Sequence, residues 1–504
     1  MRSFLFLLPL LLPACSAIQV EYADCTADPQ CRDAFGRGWG CEEETGHCME
    51  VAANPRCDSY PEGILDDPAQ EPDRVLLGTV FQHGPDFNGM VRSARLAVIQ
   101  VNDRGGLDGA PVGVLECSSA DEDADGVAFD DGLDPDTGTV AMGNYLSDIW
   151  GVSAIVGPAT SGRALAAYNA WSTRGTLLIS PSATSPELTA ADGLVATHED
   201  PGLLWRTAPP DSFQGALLAD MAKADGRTNV GILAQTGPYG DGLADSFAAG
   251  YEGAGRTSLK YPFSTPTDLA KRITEAANAG HDALLVVSSD TPDIIRFFNS
   301  AAGIGSLDDM RVFLPDGAFS ESLLDDDVGV TAAARDLLFP NVQGTVPGLP
   351  RGPAFLNFTS LYRAVNNGED PTVLPFTAQA YDAAWLALAG YAWAEHNEGG
   401  ISGINTARGL LEVSDPSFGV PLEIGPGSRT NIQSQFAAGH SIDVQGASGP
   451  LDFGADGETV GPLDIWDLDD DGGGWALHRW CCVDVSPSPT EGCVSSLDAC
   501  EDHL

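Results

Sequence analysis

The stretch Ala154–Thr189, AIVGPATSGRALAAYNAWSTRGTLLISPSATSPELT, decides the fold. Ser153–Val156 and Thr176–Ile179 are short apolar runs, the pattern of strands buried on both faces of a parallel sheet. Between them Arg163–Thr173 has helical character, with Thr160 or Ser161 as the N-cap and Gly175 just past the end. After the second run, Ser185-Pro186-Glu187 supplies a cap, a proline at the first helical position and an acidic first turn. A right-handed crossover in such a strand–helix–strand–helix unit sets both turns at the carboxyl edge of neighbouring strands. Two helix N-termini then face one crevice, with free N–H groups and the positive ends of their dipoles. That arrangement suits a small anion such as a carboxylate, with Ser161 and Thr184 as hydroxyl partners. Taken singly, each hydroxyl reads first as a helix cap; two at neighbouring turns shift the reading toward a site.

The same alternation continues outward. Val75–Phe81 reads as a strand leading into a helix over Phe87–Asn102, with the next strand near Val112–Cys117. Asn229–Ala234 and Ala283–Val287 are later buried strands, followed by helices near Gly242–Ala254 and Asp293–Ala302. Val312–Leu314 adds a strand and Gln379–Glu395 a long amphipathic helix. Strands alternating with helices at this spacing predict an α/β protein with doubly wound parallel sheets.

Further short motifs follow in order: RGGLDG at Arg104–Gly109, WRTA at Trp205–Ala208, YGDGL at Tyr239–Leu243, PDG at Pro315–Gly317 and YDAAW at Tyr381–Trp385. Gly449–Asp452 and Gly454–Gly457 close the series. Together with the GPxxS turn at Gly157–Ser161 and the SPSATSPELT turn, they make Asp73–Trp480 resemble the type I periplasmic-binding-protein family. The resemblance is to its leucine/isoleucine/valine-binding branch of ABC-transporter substrate-binding proteins. It implies two interleaved doubly wound lobes joined by a hinge and closing over a ligand. Lobe one would take 72–206 and 345–445, and lobe two 207–344 and 446–480. The implied ligand is small and amino-acid-like, the implied partner a membrane permease, and no cofactor is called for. By position in the family, Asp316 would hold the ligand's amine, and Tyr239 would pack on the ligand as the cleft shuts. Backbone groups of Ser182 and Ala183 would complete the hydrogen bonding at the carboxylate end. Asp316 also reads as a plain Asp-Gly turn, and Tyr239 as packing before a helix. Ser288–Thr291, SSDT, departs from the aromatic that relatives often carry there, so Asp290 makes that wall polar. The loop Gln82–Asn88 offers His83, Asp86 and Phe87, of which Phe87 is the candidate contact.

The ends differ in character from the body. Arg2, the apolar Phe4–Leu12 and Leu12-Pro13-Ala14-Cys15 read as an export signal over 1–14, too short for a permanent span. Leu-x-Ala-Cys resembles the bacterial lipobox, which makes Cys15 the expected lipidation site and the chain an anchored cell-envelope or periplasmic lipoprotein. Ten cysteines then remain: Cys25, Cys31, Cys41, Cys48 and Cys57, then Cys117, then Cys481, Cys482, Cys493 and Cys500. In an exported chain without a C-x-x-C pair this favours disulfides over metal. The economical expectation is two bridges within Cys25–Cys48, two within Cys481–Cys500, and Cys57 to Cys117. Residues 15–71 would form a cysteine-rich stalk or cap, and 481–504 a cysteine-rich tail.

Seventy-two acidic against 25 basic side chains leave a net charge of −47, and the lysines are Lys223, Lys260 and Lys271 alone. A chain so short of cations is unsuited to nucleic acid, whose phosphates need a basic face. Spread along the whole length, the acids point to a salty external medium that screens them. Asp121-x-Asp123-x-Asp125-Gly126 and Asp467-x-Asp469-x-Asp471-Gly472 begin like calcium loops, but Gly132 and His478 stand where a bidentate glutamate is needed. A solvated loop and a hairpin turn are the expectations there. Gly-x-Ser-x-Gly, Gly-x4-Gly-Lys and His-Glu-x-x-His motifs are absent, and the eight histidines are scattered, so no enzyme is indicated. Two function classes remain: a receptor delivering a solute to an ABC-type importer, and a sensor or surface-interaction protein built on the same fold.

Overall fold

The computed structural model describes residues 24–503 apart from 69–71, 83, 124–125, 190, 194–195, 415–418, 455, 471, 473, 485–489 and 491. The export signal, Cys15 and His83 lie outside the described residues.

Two open sheets account for the alternation. A hairpin of β1 (Trp39–Glu42) and β2 (His47–Glu50) comes first, pinned by the Cys25–Cys41 and Cys31–Cys48 disulfides. Sheet one contains β3 (Cys57–Tyr60), β4 (Val75–Phe81), β5 (Val112–Ser118), β6 (Ala154–Val156), β7 (Leu177–Ser180) and β8 (Leu204–Arg206). Their spatial order is β3-β5-β4-β6-β7-β8, parallel throughout except for β3. Sheet two is built from β9 (Asn229–Gln235), β10 (Thr257–Phe263), β11 (Ala283–Val287), β12 (Arg311–Leu314) and β13 (Val342–Pro347). After a small separate pair, β14 (Val420–Glu423) and β15 (Ile442–Gln445), the chain adds β16 (Leu463–Asp470) and β17 (Trp475–Val483) to sheet two. The order is β10-β9-β11-β12-β13-β16-β17, with the last two strands antiparallel. β5, β6, β7 and β11 are buried at every position, because helices cover both faces of each sheet.

In both sheets the winding reverses direction, between β4 and β6 in one and between β9 and β11 in the other. A ligand crevice forms outside the carboxyl ends of strands at such a reversal. Here the loops after β4, β6, β9 and β11 contribute to one shared cleft.

The chain interleaves the two lobes. It leaves sheet one after β8 and enters the second lobe through helix Asp211–Ala224, whose Leu218 and Met221 join the core under β9. After β13, helices Pro353–Val365, Thr377–Asn397 and Gly403–Val413 pack against the sheet-one core. The second and third crossings fall later than the motifs imply. β13 stays in sheet two as far as Pro347, past the expected change at 345. Leu451 is buried in the sheet-one core and Phe453 packs edge-on against Trp205, with ring centroids 4.9 Å apart. The last crossing therefore lies between Glu458, ion-paired with Arg206 of β8, and Leu463, beyond 446, because apolar packing holds Leu451 and Phe453 to lobe one.

The cysteine-rich ends are not free appendages. β3 extends sheet one at its edge, Cys57 pairs in register with Cys117, and a disulfide joins them. An unpaired edge is thereby covered. Arg32 adds hydrogen bonds to the carbonyls of Ser147 (2.5 Å) and Asp148 (3.2 Å), the open C-terminal end of helix Pro135–Asp148. At the other end, Cys481 and Cys482 belong to β17, which runs through the expected boundary at 480. Cys481–Cys500 and Cys482–Cys493 fold the tail back, so that Leu497 and Cys500 join the core beside helix Asp211–Ala224. Asp467, Asp469 and Asp470 lie in the last half of β16, at the mouth of its hairpin with β17, where Asp470 Oδ1 accepts from the Gly472 and Gly474 N–H groups.

Candidate functional site

The two turns that opened the sequence reading converge. Helix Ser161–Trp171 starts directly after β6, and the N–H of Ser185 in the second turn donates to Ser161 Oγ at 3.1 Å. Gly157 makes the first turn possible: its φ is +106°, and an added Cβ would sit 2.4 Å from the Val80 carbonyl oxygen. Ser180 braces both turns, donating to the Pro158 carbonyl at 2.7 Å and accepting from the Ala183 N–H at 3.0 Å. Ser182 Oγ donates to the Ala159 carbonyl at 2.9 Å. Beneath them the buried Arg206 donates to the carbonyls of Ala183 (3.1 Å) and Ser185 (2.8 Å) and forms an ion pair with Glu458.

Lobe two presents a different chemistry. Asp316 follows β12 directly and is buried. The Tyr239 hydroxyl donates to Asp316 Oδ1 at 2.6 Å while accepting from the Gly317 N–H at 3.1 Å. Gly317 leaves room for this, since a Cβ there would meet the Ser288 carbonyl oxygen at 2.4 Å and Tyr239 Oη at 3.1 Å. Burial pushes the Asp316 carboxyl up to about 6, against the lowering effect of Tyr239, Gln214 and the Gly317 amide. Burial also raises the Tyr239 phenol well above its ordinary value, helped by the neighbouring carboxylates of Asp316 and Asp211.

Between these halves lies a cleft of about 1100 Å³. Ser161, Ser182 and Phe87 line it from lobe one, and Tyr239, Asp316 and Asp290 from lobe two. Phe319 and Phe376 give it apolar wall. Asp290 is tied by a 2.7 Å hydrogen bond from Gln235 Nε2. Two expected contacts sit a layer behind the wall. The Ala183 N–H and carbonyl are spent on Ser180 and Arg206, so its backbone braces the turn and is not free for a ligand. Thr184 is buried, and its hydroxyl approaches the Asp211 carboxyl without the geometry of a full hydrogen bond. Asp211 and Gln214, missed in the sequence, lie beside this layer. Their signal was the acidic residue opening a helix straight after Pro209-Pro210, which reads as an ordinary first-turn acid.

Two α/β lobes, three crossings and a cleft floored by strand-end turns make up the architecture. The chain belongs to the periplasmic-binding-protein family: the family model described as "Periplasmic binding protein" matches residues 82–472. Within it, the likeness is to the type I, leucine/isoleucine/valine-binding kind. The "Leu/Ile/Val-binding protein homolog 3" of Brucella melitensis is 30% identical over 212 residues, 42% of this chain and 51% of that protein. The match thus spans about half the length of that relative. The "Chemotactic signal transduction system substrate-binding protein BasB" of Halobacterium salinarum is 28% identical over 327 residues, covering 63% of this chain and 70% of that one. Among solved structures, the branched-chain amino acid transporter substrate-binding protein LivJ of Streptococcus pneumoniae, in complex with isoleucine, has a similar fold. It shows a TM-score of 0.56 at 22% identity, covering 81% of this chain and 99% of that one.

Proposed function

We propose that this protein captures a small amino-acid-like ligand between its lobes and presents it to an ABC-type importer from the cell envelope, anchored through a lipid on Cys15. The supporting observation is the chemical split across the cleft. Lobe one offers hydroxyls and the N-terminus of helix Ser161–Trp171, suited to a carboxylate; lobe two offers the Asp316–Tyr239 pair, suited to an ammonium group. Closure would desolvate both ligand ends, and these fixed groups replace the lost water. Relatives that bind branched-chain amino acids fit this reading, and their being binding proteins fits the absence of a catalytic role. Among the described residues no helix is long and apolar enough to cross a membrane.

A thermal-shift screen of the common L-amino acids and small amides, followed by calorimetry, tests the ligand class. An aliphatic or polar amino acid that stabilises the protein is the expected result; binding only by compounds without both charged ends would reject the reading. Metabolic labelling with palmitate, lost in Cys15→Ser, tests the anchor. A second reading is supported by the chemotactic relative, whose match is the longer one: the same capture signals to a receptor. Loss of uptake on deletion favours import; loss of taxis with uptake intact favours sensing.

A further inference from the structure

Behind the wall of the cleft lies a group of polar atoms that the protein itself leaves unsatisfied. Asp211 is fully buried at the start of helix Asp211–Ala224, where lobe two meets the Thr184 turn of lobe one. Its own N–H donates to the Thr184 carbonyl at 2.7 Å, which fixes the contact between lobes. Neither Asp211 oxygen, nor Thr184 Oγ1, nor Gln214 Oε1 has a well-formed hydrogen bond. Buried carboxylate oxygens without donors are costly to leave charged, which favours the protonated form of Asp211.

The charges around the cluster are few. Asp316 faces Asp211 from the turn after β12, and Tyr239 from helix Pro238–Tyr251; Arg206 faces it from β8 but is already paired with Glu458. Among the described residues, two acids therefore share a site with no free cation. Like charges in one dry site oppose each other's ionisation, which favours the protonated form of one of them. Burial and Asp316 together raise the Asp211 carboxyl well above its ordinary value, consistent with that proton.

We propose that ligand capture releases a proton from the Asp211–Asp316 pair, with Asp211 acting as a positioning residue behind Thr184 and Asp316. This rests on the amino-acid reading above. The ligand's ammonium, set against Asp316, supplies the positive charge that the empty site lacks, and both acids then ionise. The site thereby selects primary amines over carboxylic acids of the same shape. Asp211 makes no ligand contact itself; it sets the charge that Asp316 presents and the hydroxyl direction of Thr184.

The experiment has two arms. In the first, the ligand-free protein and Asp211→Asn are unfolded thermally between about pH 5 and pH 8. A carboxyl raised in the folded state stabilises below its unfolded value and loses that contribution as pH rises through its folded value. The wild type should lose more stability over this window than Asp211→Asn; parallel profiles would overturn the shared proton. In the second, the amino acid with the largest thermal shift is titrated in phosphate and in Tris, beside its desamino acid (4-methylpentanoate if it is leucine). Release of about one proton, affinity rising up to about tenfold per pH unit, and loss of that slope in Asp211→Asn are expected. Equal heats in both buffers would overturn the linkage, and this needs no variant. Binding by the desamino acid alone would reject the amino-acid reading and with it the linkage, while the first arm still judges the pair by itself.

Discussion

At the scale of single residues, Asp316 and Asp382 show how burial sets the value of a carboxyl group. Asp316 has Tyr239 as its donor at 2.6 Å and an open face toward the cleft. Replacing it with alanine is expected to weaken amino-acid binding by about 2–4 kcal/mol, the cost of leaving a ligand charge unpaired on closure. Calorimetry with unchanged affinity would remove Asp316 from the site. Asp382, in the YDAAW motif, is fully buried and accepts from the Ala447 N–H (2.8 Å), the Ser448 N–H (2.7 Å) and the Ser448 hydroxyl (2.5 Å). It ties helix Thr377–Asn397 to the segment that leads into the last crossing. Asp382→Ala strands these donors and should destabilise by about 2–4 kcal/mol in urea unfolding. Burial pushes this carboxyl up to about 7 from its ordinary 3.8. Its contribution is thus present at acid pH and fades as pH rises through about 7, so the variant should lose part of the wild type's decline in stability between pH 5 and pH 8. An unchanged decline would mean that Asp382 is ionised throughout.

At the scale of elements, the paired turns and the covered edge strand matter most. Because Ser161 Oγ accepts from the Ser185 N–H, the first turn holds the second in place. Ser161→Ala should therefore cost about 1–2 kcal/mol of stability as well as carboxylate affinity. The double variant with Thr184→Ala should lose discrimination between a ligand acid and its amide; retained discrimination would place the carboxylate elsewhere. The Cys57–Cys117 bridge closes 60 residues around β3, β4 and β5. Serine at both positions should lower stability by about 2–5 kcal/mol and expose the edge of sheet one, read as faster hydrogen exchange in β5. The strands and their order of alternation were legible in the sequence, because runs such as Ala283–Val287 carry their burial in composition. Helix Thr377–Asn397 was legible as a helix but not as what it is. It reads as amphipathic, yet every residue from Thr377 to Ala394 is buried. Its alanines let sheet one, helix Gly403–Val413 and helix Pro85–Asn102 approach it from all sides, and that proximity is tertiary.

At the scale of the whole molecule, charge and the interleaved topology dominate. With 72 acids and 25 basic residues, many surface carboxylates have no cation to meet, although Lys260 is drawn between Asp241 and Asp245. Self-repulsion then falls as salt screens it. The melting temperature should rise by at least about 5 °C between ~0.1 M and ~2 M sodium chloride; a flat or falling curve would show that the acids are locally compensated. Which acids share a buried site behind the cleft wall could not be read from this composition. Asp211 and Asp316 are more than a hundred positions apart in sequence, and each alone passes for a turn or cap acid.

The amino-acid order alone determined the alternating strands, the strand-end turns at Ser161 and Thr184 and the family, because each is carried by local pattern or by residue identity; the Cys57–Cys117 pairing was only the economical choice until the register of β3 on β5 fixed it. The tertiary structure decided where the chain crosses between lobes, that the cysteine-rich ends dock onto the sheets, and that Ala183 is spent on bracing while Asp211 stands behind Thr184. Those outcomes depend on which buried groups find partners from distant segments, and no local spacing records that.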